Sequence, residues 1–455
     1  MNATRRLTGL AAFMALCLVL GSASSAYAQA AAAGGQDQGA GKQPYTMAEY
    51  NSYKACADDK VPASQLKCLD DFVSKYPNSA LLIYVYPLYI QAYSAQKNPL
   101  KVIDAIDKYV ALGDKVAALD RANALVARGS TYISLAAADQ TAQAKAQRDS
   151  SAAGLKVVDE VKKPDNATEE AFATWRKNAI TTLNNAAAQA ATVQKDFAGA
   201  AEAFKKVLAV SPDDPVTHYL LGKTYLATTP ARSMDGFWHV AKAISSKSAT
   251  DAQKKQLTPY LKKLILAYQG GTVCDSLSDS EYNELLQLAG TTADRPDTYK
   301  LLSSADLDAA RKDMTIASVI ADLKAGGDKS KVTWFASCGL EFPDVPGKLL
   351  EVVAPAAATD PVVLKMAFVT SQAEFDAATT SDMEVKVVGQ PEAAKLNKDE
   401  TPTPRFTGTL MSYDPAPSFM LHWDKAKVNA EDLPKEKEKP AKKPPVRRPT
   451  RKPNS

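Results

Sequence analysis

The feature that most constrains the fold is a helix-like run that stops at a proline turn and resumes with a glycine inside it. Residues 207–225 read VLAVSPDDPVTHYLLGKTY. Glycine inside a helix costs about 1 kcal/mol relative to alanine, so Gly222 needs a compensating role. The pattern predicts that a second helix crosses at Gly222 too closely to leave room for a side chain.

The same kind of pattern extends over half of the chain. From Tyr45 to Gln269 the sequence is rich in alanine, and its apolar residues recur at three- and four-residue spacing between Pro and Gly breaks. Such spacing is typical of amphipathic helices. The region 45–269 is therefore predicted to be an array of helices, with an irregular all-helical domain as the alternative.

The residues around the proline turn indicate the type of array. Ala200, Phe204 and Pro212 lead into the second run, and the pair Gly222 and Tyr225 follows within it. This spacing resembles the tetratricopeptide repeat (TPR), a helix-turn-helix unit of about 34 residues. The resemblance implies a mainly α chain with an α-solenoid that binds a protein or peptide in its concave groove.

The resemblance also implies positions for that groove. Carried onto the best-matching repeat, the groove positions of the family are Val216, Tyr219, Lys223 and Leu226. A second candidate lies in YVYPLYIQAY at 84–93, where Tyr86, Tyr89 and Tyr93 share one helical face. For these tyrosines, packing between helices is the alternative.

The periodicity changes after a predicted helical connector at 270–330, which includes a helix over 304–324. Short runs rich in β-branched and aromatic residues follow, at 331–336, 348–353, 362–369, 383–388, 405–413 and 418–423. Such runs predict strands, so 331–430 is predicted to be a small all-β domain. With a short helix candidate at 392–397, it resembles the five-stranded oligonucleotide/oligosaccharide-binding (OB) barrel. Phe419 and Trp423 alternate with polar residues as core residues do.

The amino-terminal end predicts export. Arg5 and Arg6 precede an apolar run over 7–20, and Ala26-Tyr27-Ala28 provides small residues for cleavage. Residues 1–28 are therefore predicted to be a signal peptide. A flexible linker is expected over 29–44, and the mature protein is expected in the periplasm or outside the cell, with no transmembrane segment.

The carboxyl-terminal end carries the positive charge. From Leu433 onward the sequence contains nine Lys or Arg residues but only two acidic residues, Glu436 and Glu438, and proline recurs. The tail over 431–455 is predicted to be disordered. Its expected role is either solubility or weak contact with anionic envelope polymers. Because the basic residues belong to the tail, the sequence does not predict a nucleic-acid-binding surface.

The cysteines outside the signal peptide predict disulfides. They are Cys56, Cys68, Cys274 and Cys338, an even number that permits three pairings. Cys56 and Cys68 flank a proline turn between two predicted helices, so a hairpin would bring them together. Cys274 with Cys338 would complete the set, and buried free thiols are the alternative. Zinc sites use closely spaced cysteine pairs, which the sequence lacks.

The sequence contains no recognisable catalytic constellation. Its three histidines, His218, His239 and His422, have no ligand at metal-site spacing, and no nucleophile elbow or phosphate-binding loop occurs. No catalytic residue, cofactor or metal is predicted. The expected function is a non-enzymatic exported scaffold or adaptor that binds a protein or peptide partner in the cell envelope. The alternative is an envelope-associated module whose β domain and basic tail bind glycan or an anionic wall polymer.

Overall fold

The computed structural model describes residues 44–271, 274–357 and 360–434. The predicted signal peptide, the linker up to residue 43 and the tail beyond residue 434 lie outside this range. The chain divides into two compact units, Met1–Val116 and Ala117–Ser455, and each is considered by itself. None of the described helices is long and apolar enough to cross a membrane.

The described part of the first unit is helical. Its elements are α1 Met47–Asp58, α2 Pro62–Lys75, α3 Leu82–Ala95, α4 Pro99–Val110 and a 3₁₀ turn at Gly113–Lys115. Thr46 and Glu49 form a capping box at the start of α1, and Pro62 occupies the first turn of α2, where no N–H is needed. Consecutive helices pack on one another.

The second unit begins with eleven described helices. They are α5 Ala118–Ile133, α6 Ala137–Glu160, α7 Glu169–Val193, α8 Phe197–Val210, α9 Pro215–Leu226, α10 Ser233–Ser245, α11 Asp251–Tyr268, α12 Asp275–Thr291, α13 Ser304–Arg311, α14 Ile316–Ala325 and α15 Gly327–Ser337. From α5 to α12 each helix packs on the next one in sequence, and α5 also contacts α7 as α10 contacts α12. This is the neighbour-to-neighbour packing expected of a helical array.

The crossing predicted at Gly222 is confirmed. A Cβ atom added there would lie 2.8 Å from the carbonyl oxygen of Gly236 and 3.1 Å from the backbone nitrogen of Val240, both on α10. Asp214 caps α9 by accepting hydrogen bonds from the N–H groups of Val216 and Thr217. The cap and the glycine together fix where α9 starts and how closely it approaches α10.

The chain ends in a mixed six-stranded sheet. Its elements are β1 Glu341–Pro346, β2 Lys348–Val353, β3 Val362–Ala367, α16 Gln372–Ala377, β4 Met383–Val387, a 3₁₀ helix at Pro391–Lys395, β5 Arg405–Asp414 and β6 Met420–Val428. The strand order is β1-β5-β6-β4-β3-β2, with β4 and β6 parallel and all other pairs antiparallel. The prediction of a mainly α chain followed by a small β domain is confirmed.

A single glycine separates the two strands at the ends of this order. Gly347 joins β1 to β2, and a Cβ atom there would lie 2.6 Å from the Cε of Met383 and 3.3 Å from the carbonyl oxygen of Ala367. Glycine in a strand often marks a bend where the backbone approaches other groups closely. One bent stretch of chain therefore supplies both ends of the sheet.

The inner face of the sheet forms a core with α14. Trp423 and Phe406 are fully buried, and Val319 and Leu323 of α14 pack into the same cluster. Phe419 is half-buried against this core. The alternation noted in the last strand therefore reflects packing.

One strand prediction is wrong. Residues 331–336, KVTWFA, belong to α15, where the buried residues Ser330, Thr333 and Ser337 recur at three- and four-residue spacing. The run is rich in strand-forming residues, but these contacts follow the helical period, and tertiary packing overrides the local preference. The helix predicted over 304–324 is also interrupted, because Thr315 caps a separate helix, α14.

The strand β1 is absent from the prediction because its sequence, EFPDVP, contains two prolines. Proline cannot donate a backbone hydrogen bond, so it is tolerated in strands only at edges, starts and bulges. Among the described strands, β1 pairs with β5 alone, and its register shifts between Phe342 and Val345. The prolines thus lie on an edge strand, where a missing backbone N–H is tolerated.

Both predicted disulfides are present. Cys56 pairs with Cys68 at a Cα separation of 5.4 Å, joining α1 to α2. Cys274 pairs with Cys338 at 5.9 Å, linking the start of α12 to the end of α15.

Candidate functional site

The predicted groove residues lie on α9, and one of them, Tyr219, contacts α11. The rings of Tyr219 and Tyr260 meet edge to face with centroids 6.0 Å apart, so the two helices are bridged by aromatic side chains. Both tyrosines are partly exposed. The structure therefore adds Tyr260 of α11 to the predicted set.

A cation and an aliphatic side chain accompany these rings. The Lys223 ammonium lies 5.5 Å from the centroid of the Tyr219 ring, which is within the range of a cation–π contact. Val216, one turn earlier on α9, is 49% exposed, which is unusual for a large aliphatic side chain in this molecule. The face thus combines aromatic, cationic and aliphatic groups at the surface, and we call Val216, Tyr219, Lys223 and Tyr260 the α9–α11 face.

Leu226 differs from the other predicted groove residues. It is half-buried and packs against the core formed with α10 and α11. A Cβ atom added to Gly236 would lie 2.6 Å from the Cγ of Leu226. Its contacts make it part of the support for the face.

Two histidines meet at the crossing of α9 and α10. The Nδ1 atoms of His218 and His239 are 3.0 Å apart, and His218 Nε2 is 2.9 Å from the carbonyl oxygen of Pro212. Burial lowers the pKa of both imidazoles, that of His239 to about 3. Both rings are therefore neutral near pH 7.

The tautomers of this pair follow from its neighbours. A neutral imidazole has one N–H, and His218 must donate it from Nε2, because the Pro212 carbonyl can only accept. His218 Nδ1 then accepts from the Nδ1–H of His239. The pair is a satisfied link between two helices. Sequence spacing does not identify His239 as the partner of His218, since 21 residues separate them.

The second predicted candidate, the tyrosine row of α3, lies in the first unit. Neighbouring rings are in contact, with centroids 6.1 Å apart for Tyr86 and Tyr89 and 5.9 Å for Tyr89 and Tyr93. Tyr89 is buried and donates a 2.7 Å hydrogen bond to Asp70 of α2, whereas Tyr86 and Tyr93 are half-buried. The middle tyrosine therefore contributes to packing between helices.

The outward face of the sheet is charged. Lys365 pairs with Glu351 at 2.9 Å, and His422 lies 3.4 Å from Glu384 and 3.0 Å from Asp414. These side chains form a row across β2, β3, β4, β6 and β5. Among the described residues no group of three or more His, Cys, Asp or Glu side chains could hold a metal ion.

A buried carboxyl lies on α12, within the predicted helical connector at 270–330. Glu281 of α12 accepts a hydrogen bond from the Nε2 of Gln269, and burial raises the pKa of Glu281 to about 7. Among the described residues, the Oε1 of Gln269 and the hydroxyl of Tyr299 have no hydrogen-bond partner. Sequence patterns gave no signal for this cluster, because its members belong to three separate segments.

Comparisons with known proteins identify no family for the chain. No family model matches the chain, and no curated protein matches it. Among solved structures, it is similar to the C-terminal part of a TPR repeat-containing protein from Cytophaga hutchinsonii, with 15% identity and a TM-score of 0.26. That match covers 53% of this chain and 95% of the other.

Proposed function

We propose that the chain is a non-enzymatic, exported scaffold of TPR type that binds a segment of a partner protein on the α9–α11 face. The observation that carries this proposal is the contact of Tyr219 with Tyr260, with the Lys223 ammonium over one ring. Binding energy at protein interfaces concentrates in a few aromatic and cationic residues.

The contacts within the face favour binding. Tyr219 is held by a ring of the neighbouring helix, and Lys223 is drawn toward Tyr219 by the ring quadrupole. Side chains that are already restrained lose less entropy when a partner docks. Val216 beside them offers an exposed apolar contact.

Export to the cell envelope is part of this proposal. It is supported by the predicted signal peptide and by the two disulfides, Cys56–Cys68 and Cys274–Cys338. Disulfides persist in oxidising compartments and are rare in the cytosol.

We further propose that the carboxyl-terminal sheet is an OB-type barrel. If β1 and β2 are counted as one strand bent at Gly347, the sheet has five strands and both of its edges belong to that strand. A sheet of this kind curls toward a partly open barrel, which is the form of the OB fold. The 3₁₀ helix between β4 and β5 stands close to the short helix predicted at 392–397.

The alternative function, binding of glycan or anionic wall polymer, requires aromatic side chains exposed on the sheet. Trp423 and Phe406 are buried in the core. The outward row described above is formed by charged and imidazole groups. Because no observation favours this alternative, we propose the scaffold function alone.

Site-directed photocrosslinking tests the proposal. A photoreactive residue at Val216 should capture a specific partner in cells, whereas one at Ala198, which is exposed on α8, should not. The double variant Tyr219→Ala/Lys223→Glu should lose capture and keep its melting temperature. Lys247→Glu, an exposed charge reversal between α10 and α11, serves as the matched control and should bind normally.

Two outcomes would contradict the proposal. If the double variant melts far below the parent, Tyr219 and Lys223 are packing residues. If it captures the partner as well as the Lys247→Glu control does, the binding surface lies elsewhere.

A further inference from the structure

Strand β2 has one edge without a strand partner. It stands at the end of the strand order and pairs with β3 alone among the described strands. Near the start of this edge, the N–H of Leu349 is already bonded, because it donates to the carbonyl oxygen of Pro402 at 2.9 Å. Beyond that contact the edge borders a groove.

The direction of the free backbone groups follows from strand alternation. Leu349 directs its N–H away from β3. The carbonyl oxygen of Met366, which stands opposite Leu349, accepts a hydrogen bond from the N–H of Asp382, the residue before β4. After the bulge, Glu351 stands opposite Lys365 and Val352 opposite Leu364. Backbone groups alternate between the two sides of a strand, so Glu351 faces β3 and Val352 directs its N–H and C=O to the open side.

The other edge of the sheet is protected. β1 contains Pro343 and Pro346, and Asp344 has a positive φ of 54°. Prolines and irregular backbone at an edge prevent another strand from pairing. β2, with the sequence KLLEVV, has none of these features, and its Val353 is 38% exposed.

A groove runs beside four residues of β2. It encloses about 370 Å³ between residues 349–352 of the strand and a second wall formed by Leu396, Asn397 and Lys398. Leu350 and Val352 supply apolar surface on the strand side. The groove therefore follows the edge of β2 that has no strand partner among the described residues.

Side chains across the sheet specify what would fit there. The outward row runs carboxylate, ammonium, carboxylate, imidazole and carboxylate, and it ends at Glu351 on the free edge. In the next row Val353 stands opposite Val363. Cross-strand neighbours of opposite charge, and apolar neighbours, stabilise a sheet.

We propose that the free edge of β2 binds an extended segment of a partner protein by strand addition. The segment carries Lys or Arg opposite Glu351 and an aliphatic residue opposite Val353, two positions away. Backbone bonds to Val352 supply the affinity, and the two side-chain pairs select the sequence. Lys398 lines the far wall of the groove.

The test uses a synthetic peptide of about nine residues, the length of a long strand, with fluorescence anisotropy as the measurement. All positions of the peptide are threonine except for one lysine and one valine, which stand two positions apart. A matched peptide has glutamate in place of the lysine. Val352→Pro removes the free N–H and should weaken binding of the lysine peptide by about tenfold or more. Val352→Ala makes the side chain smaller but keeps the N–H, so it should bind nearly as the parent does.

Charge exchange provides an independent test. Glu351→Lys should reverse the preference between the two peptides, with each preference about two- to fivefold. This outcome does not require the proline variant to fold. The proposal fails if Val352→Pro and Val352→Ala bind alike in folded protein, or if the charge at position 351 has no effect on the choice of peptide.

Other occupants of the edge would also be detected. If the full chain forms dimers in sedimentation velocity and Val352→Pro abolishes them, the edge pairs with a second copy and the proposal is overturned. If the peptide binds only after truncation at Pro434, the edge is occupied by the chain's own tail and the proposal is likewise overturned. Equal binding by the full and truncated chains supports it.

Discussion

The crossing of α9 and α10 predicts that an alanine at position 222 destabilises the protein, contrary to its helix propensity. A Cβ at Gly222 would lie 2.8 Å from the carbonyl oxygen of Gly236, and a Cβ at Gly236 would lie 3.2 Å from the carbonyl oxygen of Gly222. Favourable contacts between heavy atoms lie at about 3.5 Å or more. The helices must therefore separate by about 0.7 Å or bend locally.

The magnitude follows from two opposing effects. Replacing glycine by alanine inside a helix contributes about 1 kcal/mol of stability. Overpacking a close contact costs about 1–3 kcal/mol, and two of the three nearest atoms here belong to the backbone, which cannot rotate away. Gly222→Ala should therefore lower the free energy of unfolding by about 1 kcal/mol, and Gly222→Leu by about 3 kcal/mol.

A matched substitution in the same unit isolates the crossing. A Cβ at Gly290 of α12 would meet the Cβ of Ser245 at 3.7 Å, which is an ordinary contact. Gly290→Ala should thus raise stability, by up to about 1 kcal/mol. Differential scanning calorimetry of both variants should show melting temperatures that move in opposite directions. If Gly222→Ala melts as high as Gly290→Ala, the crossing has room for a side chain and the explanation of Gly222 is wrong.

Two further predictions concern a disulfide and a buried acid. Replacing Cys56 and Cys68 by serine opens a loop with a sequence separation of 12 and should destabilise the first unit by about 3 kcal/mol, seen as an earlier calorimetric transition; an unchanged transition would contradict this. Burial raises the pKa of Glu281 from 4.5 to about 7, so the folded form binds more protons than the unfolded form between these values, and stability should fall as pH rises through that window. Glu281→Gln should remove up to about 3 kcal/mol of this loss, measured by comparing melting at about pH 5 and about pH 8, and equal pH dependence in both proteins would refute the assignment.

Much of the local structure could be predicted because it depends on neighbouring residues. The spacing of apolar residues predicted the helical series, and the runs at 348–353 and 383–388 predicted β2 and β4 closely. The glycine inside α9 predicted a close helix crossing. Periodicity and backbone freedom depend on residues that are close in the sequence, so the elements that they indicate can be predicted without knowledge of the fold.

Other features required the tertiary structure. The run KVTWFA became a helix because its contacts with α13 and α14 follow the helical period, and EFPDVP became a strand because the fold placed it at an edge. In each case the residues have a local preference, and distant partners decide against it.

The candidate sites show the same division. Sequence patterns indicated Tyr219 and Lys223, yet Tyr260 joins them only because α11 lies beside α9. The groove at β2 exists because the chain bends at Gly347 and leaves one edge of β2 without a partner among the described strands. The sequence by itself determined the helical series over 45–269 and the hairpin that pairs Cys56 with Cys68, because these depend on local spacing. The tertiary structure alone decided which surfaces stay open to a partner, because that depends on contacts between residues far apart in the chain.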